Sequence, residues 1–192
     1  MGTPGQPKKV LLFIGTLFKE REIYYTSLEL LKNLYGKILM ESAQSEWKYS
    51  NYYNDELGSP IFRRFIFFKE LISEGEIADI KLQTNEIELK LSRNSKRMIN
   101  LDPGYISLAK LVLATTKDYS HRIYLKNGIY GEVTLIYKKN SFIPHINTYK
   151  DYADKKYIEL FNLARQIYKD LHNKSYPEFT DRKDKESLIK EA

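Results

Sequence analysis

The apolar positions of the chain change their spacing several times, and each change marks an element. Residues 10–16, VLLFIGT, form an almost unbroken apolar run too short for a helix, which predicts a central strand buried on both faces. Residues 22–35 place Leu28, Leu31 and Tyr35 at helical spacing before Gly36, a natural stop. A second strand is expected over 37–42. Residues 44–59 show no period and hold Trp47, Tyr49, Tyr52 and Tyr53, which predicts a long polar-aromatic loop of the kind that carries function. A third strand is expected over 61–68. Residues 76–91 then repeat Ile77, Ile80, Thr84, Ile87 and Leu91 three and four apart, which predicts a helix with Lys81, Asn85 and Glu88 aligned along another side.

Residues 98–101 read as a short fourth strand, and Asp102-Pro103-Gly104 as a turn. The order strand, helix, strand, strand, helix, strand predicts a ferredoxin-like split βαβ unit, an antiparallel sheet with two helices on one face. Residues 105–116 are apolar almost all round, so a buried helix is expected there, with a strand as the alternative that periodicity leaves open. Asn127-Gly128 between 121–125 and 129–137 predicts a hairpin with a type I′ turn. Residues 154–171 carry Tyr157, Leu160, Phe161, Ala164, Tyr168 and Leu171 on one side, which predicts a terminal amphipathic helix. The fold class is therefore α+β: a ferredoxin-like antiparallel sheet extended by a helix, a β-hairpin and a C-terminal helix. Residues 1–172 are expected to form one domain, and 173–192, half charged, a tail or short helix.

Composition narrows the chemistry. Cysteine is absent from the 192 residues, which excludes disulfides, thiolate metal sites and a cysteine nucleophile. The only histidines, His121, His145 and His172, are too widely spaced for a zinc pattern. No apolar run approaches the roughly 20 residues that cross a bilayer, and no signal-peptide core precedes the first strand, so a cytoplasmic location is expected. The formal charge of +6 admits an anionic partner, a small molecule or RNA, although 25 acidic residues are mixed among 31 basic ones.

Several constellations could carry chemistry. Lys110 is the only charge in the apolar run 105–116, and Lys117 would share its face if the helix continued, so these two with Arg122 could receive phosphate or carboxylate; the alternative is that Lys110 snorkels past core residues to water. In a two-residue hairpin Ile123 opposes Glu132 and His121 opposes Thr134, which puts His121 and Glu132 on one face as an acid/base pair and Arg122 on the other. Asp102 is either a turn residue or a Mg²⁺ ligand beside a bound phosphate. Tyr52 and Tyr53, with Trp47 and the nearby Arg63 and Arg64, offer stacking surfaces beside cations, suited to a nucleobase or single-stranded RNA. The alternative is that these rings fold back over the core.

The run from Asn100 to Leu125, NLDPGYISLAKLVLATTKDYSHRIYL, with Gly128 to Thr134, Phe13-Ile14-Gly15, Tyr52-Tyr53, Glu56-Leu57-Gly58 and the Lys81-to-Asn85 segment with Glu88, resembles the domain-of-unknown-function family 4416, whose members are often labelled GTP-binding. The resemblance points to the polar positions Lys81, Asn85, Glu88, Asp102, Lys110, Lys117, His121, Arg122 and Glu132. It implies no reaction. The chain lacks the glycine-rich phosphate loop, and Thr115 to Asp118 offers only a displaced version of the guanine-reading element, so weak GTP binding is expected. The leading expectation is a protein that binds, or acts on, a phosphorylated small molecule or nucleotide. An RNA-binding module and a non-catalytic interaction domain are the alternatives.

Overall fold

The computed structural model of the chain describes residues 2, 3, 5 and 7–175. Their elements in order are β1 (Val10–Phe18), α1 (Arg21–Tyr35), β2 (Ile38–Glu41), β3 (Ser45–Glu46), α2 (Asn54–Leu57), β4 (Phe62–Ile72), α3 (Ile77–Lys90), β5 (Ile99–Ile106), β6 (Lys110–Thr115), β7 (Ile123–Lys126), β8 (Ile129–Lys138), β9 (Ser141–Pro144) and α4 (Lys155–Ser175). The strands form one open sheet in the order β2-β4-β1-β5-β6-β8-β7, with β3 paired to β4 and β9 to β8. Every pairing is antiparallel. The fold is α+β.

Strand β1 lies at the centre because its side chains are apolar on both faces. Val10, Leu12, Ile14 and Phe18 join a core with Ile23, Leu28 and Leu31 of α1 and Ile77, Ile80 and Ile87 of α3. Leu11 and Phe13 point the other way, into a second core with Phe65 and Phe67 of β4 and Tyr157, Phe161, Ala164 and Tyr168 of α4. The expected helices α1 and α3 therefore share one face, and the terminal helix covers the opposite face. A capping box precedes α3, in which the Ser73 amide donates to the Glu76 carboxylate at 2.6 Å and fixes where the helix starts. The expected tail falls partly within α4, and beyond Ser175 it lies outside the described residues.

Two sequence expectations are overturned between residues 102 and 116. Asp102, Pro103 and Gly104 form no turn and lie inside β5. The expected buried helix over 105–116 is instead the end of β5, a tight turn in which the Ser107 amide donates to the Lys110 carbonyl at 2.9 Å, and β6. Leu111 and Leu113 enter one core while Val112 and Ala114 enter the other, so a strand covered on both faces carries no alternation to distinguish it from a buried helix. The turn lacks glycine, asparagine and proline, and is closed by Ser107, whose hydroxyl accepts from the Lys110 amide at 3.2 Å.

Gly104 has a different role from the one turn chemistry assigns. A Cβ there would stand 2.5 Å from the Val112 carbonyl oxygen and 2.6 Å from the Phe13 ring, so β5, β6 and β1 close together only around a bare backbone. Replacement of Gly104 by Ala is expected to cost about 2–3 kcal/mol, the usual penalty for overpacking a dense core. Urea denaturation measures it, and an unchanged midpoint would refute the close approach.

Candidate functional site

Strand β5 pairs with β1 along its whole length, Ile99 to Ile106, but with β6 only from Gly104 to Ile106. Pro103, where the strands part, has no N–H to offer a ladder. The free edge beyond it is served by α3: the Glu88 carboxylate accepts from the Leu101 amide at 2.5 Å, and the Lys81 ammonium donates to the Leu101 carbonyl at 2.9 Å. The gap opens into a cleft of two lobes, with volumes of about 240 and 320 Å³, that share Tyr52, Tyr53, Asp102 and Lys117.

The polar lobe, on the α3 side, is a chain of directed contacts. Arg97 grips Glu56 through two nitrogens at 2.6 and 2.7 Å, and its Nη1 donates to Glu88 and to Asn100, each at 3.0 Å. Asn100 in turn donates to Asp102 at 2.7 Å, and the Lys81 ammonium lies 3.8 Å from the same carboxylate. Burial raises the Glu88 carboxyl above its ordinary range, opposed by Lys81, the Leu101 amide and Arg97. The Arg97 hydrogen bonds hold Glu56 below its ordinary range against the opposite pull of burial.

The aromatic lobe, on the α4 side, is built around Arg63. This side chain is 2% exposed, donates to Asp151 at 2.5 Å, and stands 3.9 Å from Asp102. Its guanidinium lies over the rings of Trp47, Phe65 and Tyr152 at 5.3, 4.6 and 5.3 Å. Burial alone would lower the Arg63 pKa, but the facing carboxylates, Asp151 first, more than reverse this, so the guanidinium stays charged. Burial raises the Asp151 carboxyl, with Arg63 pulling it back down. Two Arg63 nitrogens, Nε and Nη1, and the buried Tyr152 hydroxyl have no hydrogen-bond partner among the described residues. Gly15 makes room for both groups, since a Cβ there would meet the Tyr152 oxygen at 3.1 Å and the Arg63 Cζ at 3.5 Å.

The sequence-selected residues divide into two places. Lys81, Asn85, Glu88, Tyr52, Tyr53, Asp102 and Lys117 line the cleft, and the loop 44–59 forms one of its walls. Lys110, His121 and Glu132 line a separate hollow on the outer half of the sheet. The expected trio of Lys110, Lys117 and Arg122 is not assembled: Lys110 begins β6, while Lys117 follows its far end in a loop. His121 and Glu132 do meet, at 3.2 Å, but Arg122 binds the same carboxylate at 2.7 Å and is not on the opposite face. Strand alternation does not govern His121 and Arg122, because they sit in the turn closed by Arg122 N to Tyr119 O, before β7 begins. A register shift between Tyr124 and Lys126 also sets Ile123 opposite Gly131 and not opposite Glu132. Arg122 acts on the cleft from behind: it donates to the Lys117 carbonyl at 2.9 Å and to the Tyr149 hydroxyl at 2.6 Å, and both of those residues line the aromatic lobe.

A profile of the family described as Domain of unknown function (DUF4416) matches residues 8–168. The chain belongs to this family. The span matched by the DUF4416 profile contains every residue that lines the cleft, from Leu17 to Tyr152. No curated protein and no solved structure matches the chain. Asp151 and Tyr152 were beyond sequence reasoning because they belong to an unpatterned segment. Gly15 carried a signal, a glycine in an otherwise apolar strand, which marks a close approach.

If Arg63 is a buried charge compensated by Asp151, Asp151→Asn should destabilise the fold by about 3–5 kcal/mol, and the double replacement Arg63→Met with Asp151→Leu should recover most of that loss. Chemical denaturation of the three proteins checks it, and a mild effect of Asp151→Asn would contradict the pairing. For Glu56 the sign follows from a lowered folded-state pKa. The Arg97 contact stabilises fully above the ordinary value of 4.5 and fades as pH falls through the folded value. Glu56→Gln should cost about 0.5–1 kcal/mol near neutral pH, allowing for solvent screening, and converge on the parent in acid. Urea midpoints measured across that range test this, and a constant difference at all pH values would refute it.

Proposed function

We propose that the cleft binds a phosphorylated small molecule carrying a flat ring, a nucleotide by chemical class. The observation that carries this reading is Arg63: a buried, charged guanidinium whose Nε and Nη1 lack acceptors among the described residues, beside a buried Tyr152 hydroxyl that lacks a partner among them, in a lobe walled by Trp47, Tyr53 and Tyr149. A buried donor without an acceptor costs about 1–3 kcal/mol, and an oxyanion that accepts from it relieves that cost. The rings supply the stacking surface. Lys117 is the adjustable cation at the mouth, since among the described residues its ammonium meets only Tyr52, at 3.3 Å from the hydroxyl and 4.8 Å from the ring centroid.

The lining bears Arg63, Lys81, Arg97 and Lys117 against Glu88, Asp102 and Asp151. So nearly balanced a set favours a single phosphate held by directed hydrogen bonds over a polyphosphate drawn by a basic field. This supports the expectation of weak GTP binding. Arg63 and Lys81, both within 4 Å of Asp102, stand where a Mg²⁺ on that carboxylate would be repelled, so the residues do not fit the ion and affinity should not depend on it. We also read β1, α1, β2, β4, α3 and β5 as a ferredoxin-like split βαβ unit, on the support of the order β2-β4-β1-β5.

Thermal shift and calorimetry with nucleoside monophosphates, sugar phosphates and GTP, each with and without Mg²⁺, test the proposal. A ligand at 100 times its Kd should stabilise the protein by about 2.7 kcal/mol. Lys117→Ala should weaken a bound monophosphate by about 1.5–3 kcal/mol, and Tyr52→Ala by about 1–3 kcal/mol, while Lys110→Ala leaves it unchanged. Submicromolar GTP affinity, or equal affinity in the Lys117 and parent proteins, would overturn the assignment.

A further inference from the structure

Helices α1 and α3 cover one face of the sheet only in part. On that same face the outer strands present a row of aligned positions: Ile136 opposite Lys110, Val133 opposite Val112, and Gly131 opposite both Ala114 and Ile123. Val112 and Ala114 belong to the core under α3, but the row beyond them is open. Ile123 is 73%, Ile136 46% and Val133 39% exposed, and with Leu125 they line a shallow trough of about 350 Å³. Adjacent apolar side chains left open on a sheet face mark an interaction surface, in contrast to scattered exposed ones. Three strands at about 4.8 Å spacing span about 10 Å, the diameter of one helix with its side chains.

The rim decides what fits there. Among the described residues that line the trough, the one acid, Glu132, is already matched by Arg122 at 2.7 Å. The Lys110 ammonium makes no hydrogen bond or ion pair among the described residues, and it stands at one end of the apolar row. His121 and His145 line the trough as well, their rings placed by Glu132 and by the Val133 carbonyl. The uncompensated charge among the lining side chains is therefore that of Lys110, and it is positive. A second copy docked about a two-fold axis would set one basic rim against another.

We propose that the β6-β8-β7 face docks an amphipathic helix of a partner protein, its apolar stripe on Val133, Ile136 and Ile123 and an acidic side chain meeting Lys110. The mode is helix-in-groove recognition, in which apolar anchors three and four apart supply contact area and the charge fixes direction. This surface is independent of the ligand proposed for the cleft.

Fluorescence anisotropy and amide chemical shifts of the full chain, titrated with two synthetic helical peptides of about 18 residues, test it. Both peptides carry the same leucine stripe; one is flanked by glutamate and the other by lysine. The acidic peptide is expected to bind roughly tenfold tighter than the basic one, with shifts centred on Val133, Ile136 and Ile123. Lys110→Glu should invert that preference while leaving the circular dichroism unchanged, and Val133→Asp should abolish binding of both. Absence of binding, equal affinity for the two peptides, or shifts confined to the cleft would overturn the proposal. So would a dimer, found by sedimentation, that Val133→Asp dissociates, since the occupant would then be a second copy.

Discussion

Strands β5 and β6 run side by side for three residues and then separate, and that separation creates the cleft. A backbone edge left open inside a protein must find other partners for its amides and carbonyls. Here Glu88 and Lys81 of α3 serve Leu101, which commits two ionisable side chains to a buried position and leaves them facing the gap. Pro103 makes the separation chemically inexpensive because it has no amide to leave unpaired. Gly104 then lets the strands close tightly on the far side of the gap. One short stretch of β5 thus sets both the packing of the sheet centre and the lining of the site.

The charges around the gap are arranged in relay and not as a patch. Glu56 holds Arg97, Arg97 holds Glu88 and Asn100, Asn100 holds Asp102, and Asp102 stands between Lys81 and Arg63. Arg63, Lys81 and Arg97 each face a carboxylate, so what these three offer a ligand is direction more than field. Arg63 departs from this economy. It satisfies Asp151 and leaves other donors unspent, in surroundings where burial strengthens hydrogen bonds and makes unmade ones costly. Structural side chains in dense cores are seldom left in that state.

How much of this was legible depended on whether the local pattern was the deciding force. Strand β1, helices α1, α3 and α4 and the Asn127-Gly128 hairpin each carry their own period or turn chemistry, and each was readable from the chain. The segment around Asp102 to Thr115 was misread because tertiary context decided it: an all-apolar run is compatible with helix or with a doubly covered strand, and a Pro-Gly pair inside a strand looks like a turn. The cleft residues on α3 and in the aromatic loop were visible as aligned or clustered polar and aromatic positions. Asp151 and Tyr152 were not, because Asp151 reaches Arg63 from 88 residues away along the chain with Tyr152 next to it, and only the docking of α4's approach segment brings them there. Lys110 was noticed as an isolated charge, but its position depended on the strand assignment, and with that corrected it left the cleft for the outer face.

No helix among the described residues is long and apolar enough to cross a membrane, and the basic surplus of the chain is spread over sites of different kinds. The central claim is therefore local: Arg63 receives an oxyanion while Trp47 borders the ring that carries it. The most direct measurement is the nitrogen–proton correlation spectrum of the Arg63 Nε–H and the Trp47 indole N–H during titration with a nucleoside monophosphate. The account predicts that both resonances move together and saturate at one stoichiometric site. Resonances elsewhere moving while these two stay fixed would contradict it.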